Sequence, residues 1–581
     1  MLERCIFLTR RLWELSEVMQ KIIEKISNKS HIWLALAGIV FLSPFIYGLY
    51  HEWLACIAAV ALCAILLLRL RHNGQLRIQV GVSFAAVFVL VAAYGFSAFW
   101  ATDSGMALMG FVKFLPVMLF SVVLMQLDTD ELGGLLRVVP ASGFVMTVLS
   151  FGFSRIPLVR EAFVVDSRLA GFFQYPNTYA IFLLLGIIVL AQVECRLFLQ
   201  LIGIAVLSLG ILMSGSRTVF ILLCATVPIL FFATKKKSTR VVLAALAAAS
   251  VFGVALYAYL TQNTSGMARF MTTSLETSTL IVRFLYFKDA LPIILRCPLG
   301  MGYMGYYFEQ GSFKTGLYSV AHIHNELLQL LLDIGWIPAL LVSFAILRTL
   351  FSKNTSRLQK LLLAMLCAHC MLDFDLHFLS MFFILLLTLN WSGGKTFVIK
   401  SKSITVTAAA IFSCISIYIG TANLMYISGH PEMAAMLYPP YTSAQIYLLT
   451  QTTTAQQMNK RADIILQTNQ HVALAYSAKA RSAYAAGNFE DMIKYKKRAI
   501  ELTRYTLEEY IDYINMLEVG IELYTDAGDS ASAEFCRARL LEVPNMIEAV
   551  LADTDPIAWR VADKPQLTLP QKYVELINSM Q

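Results

Sequence analysis

Hydrophobic positions fill the first three quarters of the chain in long runs, broken by short polar intervals. Apolar stretches lie near residues 32–50, 53–70, 80–98, 105–126, 133–153, 178–193, 197–214, 217–233, 241–260, 325–350, 358–373, 376–391 and 404–422. A helix needs about 20 apolar residues to cross a bilayer. Each stretch therefore predicts a span, and together they predict an all-α polytopic membrane protein with about 12–13 transmembrane helices. Beyond residue 423 or so the pattern turns polar, with Ala and aromatics at helical spacing. HVALAYSAKARSAYAAGNFEDMIKYKKRAIELTRY predicts a helix pair turning at Gly487-Asn488, and a second turn is expected at Ala527-Gly528-Asp529.

Composition supports the membrane reading. The 581 residues are 58% hydrophobic and 14% charged, against about 25% charge in a soluble domain. No cleavable signal peptide is evident, and residues 1–30 read as a basic cytoplasmic segment. The net charge of +8 is carried largely by short loops, which makes it a topology signal rather than a nucleic-acid footprint. With the N-terminus inside, the inner loops hold Arg69, Arg71, Arg77, Arg137, Arg196, Lys235, Lys236, Lys237, Lys353, Arg357, Lys395 and Lys402. Arg155, Arg160, Arg168 and Arg217 fall on the outer side against this rule, which points to another role for them. The expected division is a membrane domain over 31–425, with a large outer loop at about 261–324, and an extracytoplasmic helical region over 430–581.

This topology places five polar clusters on one face. They are Trp100–Asp103; Arg168–Asn177; Ser214-Gly215-Ser216-Arg217; the outer loop with Arg283, Lys288, Asp289 and Pro298–Gly302, ending in His322, His324, Asn325 and Glu326; and Asp373–His377. Each has a plain alternative. Asp103 could cap a helix, Pro176-Asn177 could open one, Arg217 could snorkel, and Asp373 could pair with His377. Their common sidedness favours a shared site. Arginine suits bidentate binding of phosphate oxygens, and histidine suits proton transfer near neutral pH. Arginines and a base at a membrane surface fit a lipid-linked pyrophosphate donor whose sugar passes to a hydroxyl.

The motifs HNELLQLLLDIG (324–335), SGSR (214–217), RLAGFFQYPNTYA (168–180), RCPLGMGYMGYYF (296–308) and AHCMLDFDL (368–376) resemble those of the O-antigen ligase and O-antigen polymerase superfamily over about 80–425. The C-terminal helix pairs resemble tetratricopeptide repeats, although their glycines stand 41 residues apart against a usual period of about 34; an irregular helical bundle is the alternative. The superfamily resemblance implies a GT-C-like bundle in the bacterial cytoplasmic membrane, acting on its outer face without metal, nucleotide or other cofactor. It implies transfer of a glycan from undecaprenyl pyrophosphate to an acceptor glycan, glycolipid or protein hydroxyl. His324 matches the family's base, with His322 a second candidate and Asn325 able to orient the base. Arg217 and Arg283 match the arginines that hold the pyrophosphate, and Arg168 is a further candidate. Asp373 or Asp375 could fix the far wall of the substrate site, and Asn177 is a further substrate-binding candidate. O-antigen ligase is the leading expectation; polymerase and protein O-oligosaccharyltransferase belong to the same superfamily. A polysaccharide or lipid transporter is the alternative of another class, with Lys113 as an intramembrane charge, but no inverted repeat is visible. In a third reading the membrane part anchors a scaffold whose helical tail recruits protein partners.

Overall fold

In the computed structural model, residues 30–233, 279–561 and 563–581 are described, along with residues 240 and 244. The predicted segment 1–30 (apart from Ser30), the span near 241–260, the Lys235–Lys237 loop and the first part of the outer loop lie outside the described residues. The described membrane region is helical: α1 His31–Leu42, α2 Glu52–Asn73, α3 Val82–Ser97, α4 Ser104–Leu124, α5 Val138–Phe153, α6 Pro176–Gln192, α7 Leu197–Ser214 and α8 Arg217–Ala233 come first. The segment expected as the outer loop follows with α9 Thr279–Arg296 and α10 Gly305–Phe313. Then come α11 Glu326–Ile334, α12 Trp336–Phe351, α13 Arg357–Cys370, α14 Leu379–Thr388 and α15 Lys402–Ile427. Five helices are long and apolar enough to cross a membrane by length and composition, and six shorter apolar helices accompany them among the described residues. The protein is an all-α polytopic membrane protein.

Burial separates the centre of the bundle from its rim. The apolar stretch of α4 is 78% buried and that of α15 only 22%, and α15 exposes Ile404, Ile411 and Ile417 as a lipid-facing side chain would be exposed. All ten residues of α14 are buried. At about 1.5 Å per residue, α14 falls well short of the bilayer core and is shorter than the predicted span at 376–391. A short element is tolerated there because protein, not lipid, surrounds it.

The expected span at 325–350 is two helices, not one. Gly335 breaks it with φ +81°. The freed backbone groups are met by the Pro298–Gly302 loop: Met301 N–H donates to Leu332 O at 2.6 Å, Gly302 N–H to Asp333 O at 2.9 Å, and Trp336 N–H to Pro298 O at 2.9 Å. Gly300, at φ +79°, allows this approach; a Cβ there would stand 2.5 Å from the Asp333 carbonyl. A helix interrupted at membrane depth needs such internal partners.

Two ribbons depart from the all-helical expectation. β1 Leu76–Val80 pairs antiparallel with β4 Lys395–Ile399, in register Arg77 to Val398, and β2 Val164–Val165 pairs with β3 Arg168–Leu169. The β1–β4 ribbon joins two loops expected on the basic, inner side. Gln126, just past α4, grips the Arg77 backbone there. The opposite end gathers the ends of α4, α6, α7, α11 and α13, and with them the polar clusters.

The C-terminal region is built from helices, among them α16 Ala455–Thr468, α17 Ala473–Ala485, α18 Phe489–Leu502, α19 Leu507–Asp526 and α20 Ser530–Leu541. α17 packs on α18 and α19 on α20. Gly487 (φ +72°) and Gly528 (φ +75°) make the turns of these pairs. The region docks on the bundle through Asn469, which donates to Asp103 at 2.9 Å, and Tyr438, which donates to Gly105 O at 2.9 Å.

Candidate active site

Asp373 is the hub of the site. It lies in the loop between α13 and α14, and its side chain is 1% exposed. Four side chains converge on it. Tyr175 O–H donates to Oδ1 at 2.7 Å, and Asn177 Nδ2 donates to Oδ2 at 2.8 Å. His324 Nδ1 stands 3.2 Å from Oδ1, and an Arg283 terminal nitrogen stands 3.5 Å from Oδ2. Burial pushes the Asp373 carboxyl up. The hydrogen bond from His324 and the charge of Arg283 override it, and hold the group well below the usual carboxylate range. Asp373 is therefore an anion at neutral pH, and it is the proton acceptor in its bond with His324. This assigns an imidazole proton to Nδ1.

The elements that deliver these groups are locally determined. Pro176 opens α6 at its first position, which places Tyr175 and Asn177 at the mouth of that helix. Asn325 caps α11: its Oδ1 accepts from Leu328 N–H at 3.0 Å. The residue before the cap, His324, sits at φ +56°, an uncommon conformation for a residue with a Cβ. Its imidazole side chain is 21% exposed, so it combines a buried anchor with access to an incoming group. Arg283 comes from α9 and also donates to Leu372 O, the carbonyl beside the hub. Its side chain is 13% exposed.

Arg168 forms the link to the serine-glycine motif. Its Nε donates to Ser214 O at 2.7 Å and one terminal nitrogen donates to Asn177 Oδ1 at 2.6 Å. Gly215, at φ +60°, ends α7, and Arg217 begins α8 two residues later, half-buried. Arg168, Asn177, Asp373, His324 and Arg283 thus form one continuous network, and Arg217 stands at the motif that Arg168 holds.

Three expected site residues point elsewhere. Asn325 spends its oxygen on the α11 cap, and its Nδ2 donates to Met371 O at 2.9 Å, so it fixes the loop backbone. Asp375 is fully buried, with His369 Nδ1 at 2.5 Å and Thr178 O–H at 2.7 Å; it lies behind the wall rather than in it. His322 is 4% exposed. It faces Tyr50 O–H at 3.2 Å and packs, tilted, against His377 with ring centroids 3.8 Å apart. Burial first, then His377 and Lys113, push the His322 imidazole well below its ordinary value. Phe374 packs against both histidines, with centroids 5.2 Å from His322 and 5.0 Å from His324.

Sequence reasoning missed the polar core beyond Phe374. Lys113 is fully buried, 3.5 Å from Glu52, and donates to Tyr303 O–H at 3.1 Å; Tyr303 in turn donates to Glu52 at 2.6 Å. Lys113 also sits 4.5 Å above the Tyr50 ring. One signal for it was visible: a lone lysine inside the run 105–126 needs a counter-charge, and Glu52 is an acid between two apolar runs. Tyr175 lies within the motif that supplied Arg168 and Asn177 as substrate-binding candidates, but its bond to Asp373 had no sequence signature.

Residues 202–343 match the family model described as O-antigen ligase. The match spans SGSR, Arg283, the Pro298–Gly302 loop and the histidine motif. Arg168, Asn177 and Asp373 come from outside it. No curated protein matches the chain.

Proposed function

We propose that this membrane protein, whose residues 202–343 match the family model described as O-antigen ligase, transfers a glycan from undecaprenyl pyrophosphate to an acceptor hydroxyl on the outer face of the cytoplasmic membrane. The observation that carries the reading is the His324–Asp373–Arg283 cluster: a half-open imidazole oriented by a buried carboxylate, with a guanidinium beside it. Asp373 holds the Nδ1 proton, so Nε2 faces the acceptor as a base. The acceptor O–H proton passes to Nε2 as its oxygen attacks the anomeric carbon of the glycan. The bond from that carbon to the pyrophosphate oxygen breaks, and the electron pair leaves with the lipid pyrophosphate. Arg283 and Arg217 neutralise the charge that develops there. A guanidinium has five N–H donors, and Leu372 and Asp373 occupy only part of the Arg283 set. His324 then gives its proton to water.

The test is glycan transfer in cells that carry full-length His324→Ala at normal protein level. General-base loss should lower transfer by about 10²- to 10⁴-fold; wild-type transfer would sink the reading. Deleting the gene separates ligation from polymerisation. Long glycan stranded on the carrier lipid supports ligation, and unextended units on the carrier identify a polymerase.

A further inference from the structure

We propose that the C-terminal helical region is a brace that positions Arg283, with residues 555–558 clamping α9 and the 314–320 loop onto the site. The proposal rests on the reading of Arg283 as a pyrophosphate-binding residue. Asp555 grips twice: its N–H donates to Thr315 O at 2.9 Å, and its carboxylate, 3% exposed, pairs with Lys288 of α9. The same carboxylate accepts from Ile557 N–H at 2.7 Å, which sets the turn that presents Ala558. Ala558 is fully buried against Leu285 and Tyr318, with Tyr286, Val320 and Ile557 packed around them. The fit is close: a Cβ on Gly316 would stand 2.8 Å from the Ala558 Cβ and 2.7 Å from Leu285.

From this clamp the contacts run directly into the site. Tyr318 O–H donates to Asp289 at 2.8 Å, and Asp289 also accepts from Thr315 N–H at 2.8 Å. Tyr286 packs on Tyr318 at 4.7 Å between ring centroids and on His324 at 6.3 Å. Leu285, Tyr286, Lys288 and Asp289 lie within two turns of Arg283 on α9. A second grip comes from Arg504, just past α18, which donates to Lys314 O through two nitrogens and pairs with Asp553 at 2.8 Å. The brace has its own footing on the bundle, through Asn469 on Asp103 and Tyr438 on Gly105. It therefore ties the arginine-bearing helix to the start of α4, and a guanidinium held at both ends of such a link costs little to order when a pyrophosphate arrives.

The experiment measures binding of undecaprenyl pyrophosphate to the detergent-purified full chain. Lys288→Glu sets a like charge against Asp555 at a largely exposed position, and Gly316→Val wedges Ala558 from Leu285. Each should weaken binding by about 10- to 100-fold, while Lys288→Arg keeps the wild-type affinity. Combined with Arg283→Ala, Lys288→Glu should add almost nothing, because both changes remove one interaction. Wild-type affinity in Lys288→Glu overturns the brace, and so does a fully additive loss in the double variant. If Gly316→Val does not fold, Lys288→Glu decides alone. If Arg283→Ala binds the probe as wild type does, the pyrophosphate reading of Arg283 fails instead.

Discussion

The two sides of Phe374 hold similar residues in different states. On one side, His324, Asp373 and Arg283 share a hub whose imidazole is 21% exposed. On the other, His322, His377, Glu326 and Lys113 are sealed, and Glu52, 15% exposed, pairs with Lys113 from the edge. There Glu326 accepts from Leu376 N–H at 2.6 Å and stands 3.5 Å from His377 Nδ1. Among the described residues, both ring nitrogens of His377 and the Nδ1 of His322 lack a hydrogen-bond partner. Burial pushes both imidazoles down, so they are neutral at physiological pH. A base needs access and an orienting anion; only the first side has both. The second side fits a structural role, in which a buried ion pair fixes how α2, α4 and the outer loop meet.

Asp373→Asn is the sharpest way to break this contrast. An amide at the hub can donate to His324 Nδ1, and the imidazole then presents the wrong tautomer. Transfer should fall by about 10⁴-fold, as loss of an orienting carboxylate does elsewhere, with the protein still folded. Equal losses of activity and of folded protein would make Asp373 a structural residue.

Lys113→Met probes the sealed side. It leaves Glu52 hydrogen-bonded to Tyr303 and Asn423, 15% exposed, but without its cation. Removing one partner of a buried pair costs about 3–5 kcal/mol, which should appear as a large drop in the thermal midpoint in detergent. Adding Glu52→Gln should recover much of it. A midpoint unchanged in the single variant would refute the ion-pair assignment.

The smallest effect lies at the brace. Burial, and then the charge of Arg504, pull the Lys314 amine down to about 8 from 10.5. The unfolded chain therefore binds more protons than the folded one between those values, so this group makes stability rise with pH from about 8 towards 10.5. Below pH 8 the penalty is present in full. Lys314→Met should remove that slope from the pH dependence of the unfolding midpoint; an unchanged slope would place its origin at another group.

Much of the fold was legible because membrane spans announce themselves in one dimension. Twelve of the thirteen apolar runs coincide with described helices, and the polar clusters between them meet at one end of the bundle. Helix starts were legible too: Asp103, read as a candidate cap, accepts from Met106 N–H at 2.8 Å, and Pro176 opens α6. The break at Gly335 was not, because a glycine within an apolar run is compatible with a continuous helix until a loop such as Pro298–Gly302 takes its carbonyls.

By itself, then, the sequence determined the membrane class, the expected alternation of sides and the residue types available at the polar ends of the helices. These follow from hydropathy and from loop charge, which are local properties. Tertiary structure decided which of those residues act together. Asp373 rather than Asp375 became the hub, and His324 rather than His322 kept an open nitrogen. Asn325 became a cap, and a tail more than 200 residues beyond Arg283 came to rest on its helix. Hydrogen bonds and ion pairs act over about 3–4 Å, and only packing brings residues far apart in the chain within that reach.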